Sequence, residues 1–291
     1  MPTLSFLILT YNSEKHIELL LDSLLSCLGE KIKSGEYEIV IADNDSSDNT
    51  HTIVEKYISG NINFFKTGSN AGYAKGINIA SKHAKGKYLV VLNPDTRLVE
   101  ADFDRVIEEF EKNKNLAIAG MNLENEQGIR EKTAGKFYNF LTFALFSMGL
   151  EEVFGLRFAP GKKRKVDFVS GGFVIFRKDI FEKLSGYDED YFMYVEDIDI
   201  CYRAKKLGFD VYFLPYAKAI HKGQGSSSRE FAIVNIYKGL VTFYKKHGSF
   251  LEEQYVRNLL SMKAALIIFL GSILGKKNLA SIYMKALKEI S

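Results

Sequence analysis

The chain has no tryptophan, four prolines and two cysteines in 291 residues. Two thiols far apart, Cys27 and Cys201, make no disulfide framework. Both lie in apolar helical patterns and are expected as reduced core residues of a cytoplasmic protein. Net charge is only +3, too little to point to a nucleic-acid partner. Long apolar runs are missing as well. The uncharged stretches Phe137 to Leu150 and Ala264 to Gly275 are short of the ~20 residues that span a bilayer. No basic region precedes the first apolar stretch, so a secretory leader is not expected. Two nucleotide signatures are also absent. The G-x-G-x-x-G fingerprint belongs directly after a first strand, where this chain has Thr10-Tyr11-Asn12-Ser13. Gly86-Lys87-Tyr88 and Gly275-Lys276-Lys277 do not make a P-loop. Any phosphate held here is therefore not gripped by a glycine cradle. A divalent cation is the usual substitute.

What is present is an ordinary soluble composition, 46% hydrophobic and 26% charged. Apolar runs at Leu4 to Thr10, Glu38 to Ala42, Ile62 to Phe65, Tyr88 to Leu92 and Leu116 to Gly120 predict buried strands. Asn12 or Ser13 can cap a first helix with apolar positions from Ile17 to Leu28. Further helices are expected from about Asp48 to Tyr57, Tyr73 to His83 and Phe103 to Asn113. Such alternation predicts a parallel sheet covered on both faces, with ligands beyond the carboxyl ends of the strands. Three of those ends are polar: Thr10-Tyr11-Asn12, Asp43-Asn44-Asp45 and Asn93-Pro94-Asp95. They should lie side by side. Further on, Phe168 to Phe176 is strand-like, Glu196 to Leu207 a helix and Val211 to Leu214 a strand. Phe231, Val234, Val241 and Tyr244 mark a helix, and a last apolar helix covers roughly Tyr255 to Leu274. The expected organisation is residues 1–225 as one catalytic unit, with halves 1–121 for a nucleotide-linked donor and 122–225 for an acceptor. A helical region, 226–291, follows.

The polar strand ends hold the candidate chemistry. Asp95 is a candidate ligand for Mg²⁺ or Mn²⁺, assisted by Asn93 directly or through water; a plain turn is the alternative. Asp43 can accept from a base N–H or a ribose hydroxyl, while Asp45, Ser46 and Ser47 suit a turn and Asp48 a helix start. Asn70, Gly72 and Gly76 surround another helix start, where Gly76 implies close approach of a ligand or of the sheet. Glu196, Asp197 and Asp199 open a helix whose dipole favours their charged forms, and one of them can serve as a general base. Arg203 pairs with Asp199 or reaches a phosphate. Tyr191, Phe192 and Tyr194 offer flat surfaces to sugar rings or pack in the core. His221 is structural or a further metal ligand.

Taken in order, six segments resemble the family 2 glycosyltransferases with the GT-A fold, in the manner of the bacterial rhamnosyltransferase-like group. They are the strand running into Thr10-Tyr11-Asn12, DNDSSDNT at 43–50, NAGYAKGIN at 70–78, LNPDT at 92–96, SGGFVIFRK at 170–178 and GYDEDYFMYVEDIDICYRAKKLG at 186–208. The resemblance covers about residues 3 to 225. It implies an α/β GT-A-type domain, three layers α/β/α around a mostly parallel sheet, with C-terminal helices. It also implies inverting, Mg²⁺- or Mn²⁺-assisted transfer from a nucleotide-diphosphate sugar, dTDP-rhamnose or a UDP-sugar. The acceptor would be a glycan or a polyprenyl-linked molecule of cell-surface polysaccharide synthesis. Residue by residue, Thr10, Tyr11, Asn12 and Asp43 fall at the base and ribose. Asn70, Gly72, Lys75, Asn93 and Arg203 join them as donor-binding candidates. Asp95 falls at the metal, with His221 and Asn93 as further ligands. Asp197 matches the general base with Glu196 beside it, and Gly171, Gly172, Tyr191 and Tyr194 fall on the acceptor side. A nucleotidyltransferase or a non-catalytic binding module is the rival; the former usually has an Arg-containing glycine loop after its first strand. The uncharged Phe137 to Leu150, the basic run 162–165 and the end of the last apolar helix before Lys276 and Lys277 suit peripheral contact with an anionic membrane, a homodimer interface or a helix packed on the core.

Overall fold

The computed structural model describes residues 1–223 and 228–291; the expected boundary at 225 lies outside them. The first half alternates as its apolar runs predict: β1 (Leu4–Thr10), α1 (Ile17–Lys33), β2 (Tyr37–Asp43), α2 (Thr50–Glu55), β3 (Ile62–Lys66), α3 (Tyr73–His83), β4 (Tyr88–Leu92), β5 (Thr96–Ala101), α4 (Phe103–Lys112) and β6 (Leu116–Asn125). The second half is more irregular: β7 (Ala134–Gly135), α5 (Phe140–Ser147), β8 (Arg157–Phe158), β9 (Arg164–Val166), β10 (Phe168–Val169), β11 (Phe173–Arg177), α6 (Lys178–Lys183), α7 (Glu196–Lys206) and β12 (Asp210–His221). Three helices end the chain: α8 (Arg229–His247), α9 (Phe250–Ile273) and α10 (Lys277–Ile290).

The main sheet runs β3-β2-β1-β4-β11-β6-β12-β5, with β9 paired to β12. β3, β2, β1 and β4 are mutually parallel, and β11 is inserted antiparallel between β4 and β6. β1 is buried along its whole length because successive side chains serve two cores. Leu4, Phe6 and Ile8 pack with α1 and α4, whereas Leu7 and Leu9 pack with α3 and α7. A third core joins α8, α9 and α10 to Phe143 of α5. As expected, the polar ends of β2, β1 and β4 are neighbours. Gly76 has a packing reason: a Cβ there would stand 2.5 Å from Leu9 Cδ1, so it lets α3 close on the sheet.

The structure corrects several expectations. The run Phe168 to Phe176 is not one strand. It breaks at residues 170–172, where Ser170 N donates to the Thr133 carbonyl and Gly172 accepts from Asn93 N, so the chain leaves a small sheet, β10-β7-β8, for the main one. β5 and α10 were not anticipated. Cys27 is exposed on α1, while Cys201 is buried as expected. Helix α1 is not capped by the Asn12 or Ser13 side chain; the Ser13 carbonyl accepts from His16 N and Ile17 N instead. Finally, α9 has 24 residues, and an 18-residue stretch of it has a mean hydropathy of 1.5, long and apolar enough by composition to cross a membrane. The uncharged run understates it because one lysine, Lys263, does not end a helix.

Candidate active site

The turn after β4 is built around Asp95. Its carboxylate is buried, with Oδ2 3.2 Å from His221 Nε2 at the end of β12. The other ring nitrogen of His221 lies 2.9 Å from Glu131. Held by hydrogen bonds to Asp95 and Glu131, the imidazole pKa is pushed up to about 10 despite burial. Burial alone would raise the Asp95 carboxyl, but the adjacent imidazolium holds it below its ordinary value. Asn93 turns its amide oxygen 3.0 Å from the Tyr73 hydroxyl. Among the described residues no cluster of three or more His, Cys, Asp or Glu forms a complete metal cage. Asp95 and His221 nevertheless present an oxygen and a nitrogen side by side at the cavity wall. Once His221 gives up its Nε2 proton, as a metal-binding imidazole must, that donor set fits Mg²⁺ or Mn²⁺, which takes one or two protein ligands and completes its shell with phosphate and water.

The second cluster opens α7. Tyr194 and Val195 both have φ of 71°, a left-handed conformation costing about 1–3 kcal/mol each. Gly239 of α8 makes room for this bend: a Cβ there would stand 2.8 Å from Val195 Cγ2. The bend delivers Glu196 and Asp197 into the first turn of the helix. Asp197 accepts from Gly171 N at 3.2 Å and Ile198 N at 2.8 Å. Burial raises its pKa, opposed by the Arg157 charge and these backbone donors. Glu196 is deeper, and its Oε2 has no hydrogen-bond partner. Burial and the neighbouring Asp197 push it well up. The Arg157 charge and the backbone donors favour the ionised form on Asp197, whereas burial and the neighbouring Asp197 disfavour it on Glu196.

The two clusters face adjoining cavities. One, of about 760 Å³, is lined by Tyr11, Asn12, Asn70, Gly72, Asp95 and His221 among others. Its neighbour, of about 330 Å³, holds Gly171, Gly172, Glu196 and Asp197. Tyr73, Asn93, Ser170, Met193 and Tyr194 line both. Tyr73 ties the wall together, its hydroxyl also lying 3.2 Å from the Gly171 carbonyl oxygen.

The family model described as glycosyl transferase family 2 matches residues 5–185, more than half of the chain. The chain belongs to glycosyl transferase family 2. It is 26% identical over 225 residues to the rhamnosyltransferase WbbL of Escherichia coli K12, covering 74% of this chain and 81% of that protein. It is likewise 26% identical over 247 residues to the N-acetylglucosaminyl-diphospho-decaprenol L-rhamnosyltransferase of Mycobacterium tuberculosis H37Rv, covering 76% of each. The fold is of the GT-A type. GalNAc-T7, solved with UDP, GalNAc and Mn²⁺, superposes with a TM-score of 0.66 at 17% identity; the match covers all of this chain and 56% of that one.

Within this glycosyltransferase, several predicted site residues stand elsewhere. Thr10 and Asp43 are fully buried behind the wall: Thr10 Oγ1 donates to Asp43 Oδ1 at 2.7 Å, and Ser46 donates to both Asp43 oxygens. Lys75 points outward, 4.0 Å from Glu189. Tyr191 is buried in the helical core, its hydroxyl on Asp199. Arg203 reaches no phosphate site. Its Nε donates to Asp199 at 2.6 Å and its Nη atoms to the Leu184 and Gly186 carbonyls. Gly72, with φ of 87°, lines the larger cavity and also lets Phe192 close in, since a Cβ would stand 2.5 Å from the Phe192 carbonyl. Asp48 accepts from Thr50 N and supports the start of α2, as expected. Sequence reasoning missed Tyr73, which stood inside the NAGYAKGIN segment. It also missed His16, whose buried Nδ1 has no partner beside the Asp95 cavity, and Arg157, which carries no motif signal.

Proposed function

We propose that this glycosyltransferase moves a hexosyl residue, with rhamnose as the first candidate, from a nucleotide-diphosphate donor to a hydroxyl of a glycan or lipid-linked acceptor, with inversion. The observation that carries this is the shared wall: Asp95 and His221 face one cavity, Glu196 and Asp197 the next, with Tyr73 and Asn93 between. The larger cavity has the size for a nucleotide sugar and the smaller one for an acceptor sugar. The rhamnosyltransferases among the relatives support the donor class.

Asp197, ionised, takes the proton of an acceptor hydroxyl. That oxygen forms a bond to the anomeric carbon as the bond to the diphosphate breaks, and the nucleoside diphosphate leaves with the electron pair. A single displacement inverts the centre and needs no covalent enzyme intermediate. The Gly171 and Ile198 amides hold the carboxylate in place, and Tyr73 fixes Asn93 against Gly171. Asp95 and His221 would hold Mg²⁺ or Mn²⁺, which when bound supplies positive charge to the leaving diphosphate. An enzyme acting on lipid-linked acceptors would work at the cytoplasmic face of the cell membrane, and the exposed apolar side of α9 supports contact with the bilayer there.

Asp197→Asn tests the assignment. Transfer is expected to fall at least a thousandfold, with nucleotide-sugar affinity within threefold of wild type by calorimetry. Turnover within tenfold of wild type would remove Asp197 as the base.

A further inference from the structure

The smaller cavity holds ionisable side chains that make no direct contact in the transfer step. Glu151 lines it together with Glu196, and Oε2 of each is buried without a hydrogen-bond partner. Arg157 lines the same cavity. Strand β8 carries Arg157 and pairs with β7, which pairs with β10, the strand leading into Gly171 and its bond to Asp197. Arg157 Nε donates to the Lys132 carbonyl at 2.9 Å, which pins the side chain. Its Nη donors are left over, and among the described residues no carboxylate pairs with it. Arg157 does not line the Asp95 cavity, so it is not placed for the donor diphosphate. One part of the remaining wall is apolar, with Phe146, Phe168, Ile236 and Leu240. Phe146 belongs to α5, whose Phe140 and Leu141 are exposed.

Unpaired carboxylate oxygens call for hydroxyl donors. An unpaired guanidinium calls for a planar or tetrahedral oxyanion, which it can grip with two parallel bonds. An apolar wall leading to an apolar surface calls for a hydrocarbon. One acceptor class meets all three. We propose that Arg157 is an acceptor-specificity residue that grips the phosphate of a sugar esterified through phosphate or diphosphate to a long apolar alcohol. Its sugar hydroxyls donate to Glu151 and Glu196, and its chain runs over Phe146, Ile236 and Leu240. This rests on the glycosyltransferase function proposed above and narrows its acceptor.

The test compares two probes that differ only in the anion: N-acetylglucosamine linked to farnesol through a diphosphate, and the same sugar joined to farnesol directly. Calorimetry is done on the full chain, after nucleotide binding is established with UDP, GDP and dTDP in the presence of Mn²⁺. Wild type is expected to bind the diphosphate probe at least tenfold more tightly. Arg157→Gln is expected to bring that ratio to about one, and Arg157→Lys, which keeps the charge, to recover part of it. No binding of the diphosphate probe, equal affinities in wild type, a ratio that survives Arg157→Gln, or one lost equally in Arg157→Lys overturns the assignment. If wild type binds none of the three nucleotides, the function proposed above fails instead, a result distinct from these.

Discussion

At the scale of single residues, the site depends on two carboxylates given opposite surroundings. Asp95 is kept ionised by His221, while burial lifts Asp197. A base must be deprotonated to act, so kcat/KM should rise with pH through the Asp197 pKa. The acid limb should have its midpoint above the ordinary aspartate value of 3.8. A pH–rate profile checks this, and a midpoint at or below that value would remove burial as the controlling influence. Asp95→Ala leaves His221 with Glu131 alone and takes from the larger cavity wall the only carboxylate it has among the described residues. The rise in Tm that Mn²⁺ plus nucleotide gives wild type should fall to under a third, and an unchanged rise would move the metal elsewhere. Asp95 and Asp197 were singled out by the order of the motifs around them and the resemblance those carry, since an acid at a turn or at a helix start is ordinary on its own. Arg157 was not legible, since an arginine in a two-residue strand has no periodicity around it.

At the scale of elements, α7 is the part that must not move. Asp199 is fully buried and accepts from Arg203 on its own helix and from His247 of α8, each at 2.6 Å. Arg203 then ties α7 to the carbonyls of Leu184 and Gly186. Asp199→Ala removes the common acceptor and leaves the Arg203 guanidinium and the His247 ring facing a gap, so a loss of about 3 kcal/mol is expected in urea unfolding. A loss under 1 kcal/mol would show that these pairs carry little. The same geometry decides between the two roles expected of Arg203: four residues after an acid it makes the plain intrahelical pair, and the partner is buried rather than on the surface. Boundaries were legible where apolar runs were continuous, as in α3, found from Tyr73 to His83. β5 escaped because only Thr96 and Leu98 alternate inward. It is a strand because β12, more than a hundred residues later, pairs with it.

For the whole molecule, charge and apolar surface are unevenly shared. Residues 226–291 carry ten Lys and Arg against four Asp and Glu, so the rest of the chain is net acidic. On α9, Met262, Leu266, Phe269, Leu270 and Ile273 are exposed along one stripe, with Lys276 and Lys277 just beyond its end. Such a face suits an anionic bilayer. Wild type should co-sediment with phosphatidylglycerol vesicles, and Leu266→Glu combined with Phe269→Glu should cut the bound fraction at least threefold. No change in sedimentation, together with a dimer in solution that this double variant splits, would give the face to a second copy instead. Deleting α10 is a poorer test than these substitutions, because Ala280, Ile282, Tyr283, Ala286 and Ile290 are buried and hold the helical core. Local pattern was enough for the alternating half, its polar strand ends and the absence of a glycine cradle, because strand burial and helix periodicity are written into neighbouring residues. Folding alone settled which polar groups meet. Thr10, Asp43, Tyr191 and Arg203 satisfy one another or the core, whereas Tyr73, Glu151 and Arg157 face the cavities, because hydrogen-bond partners from distant segments are chosen by packing.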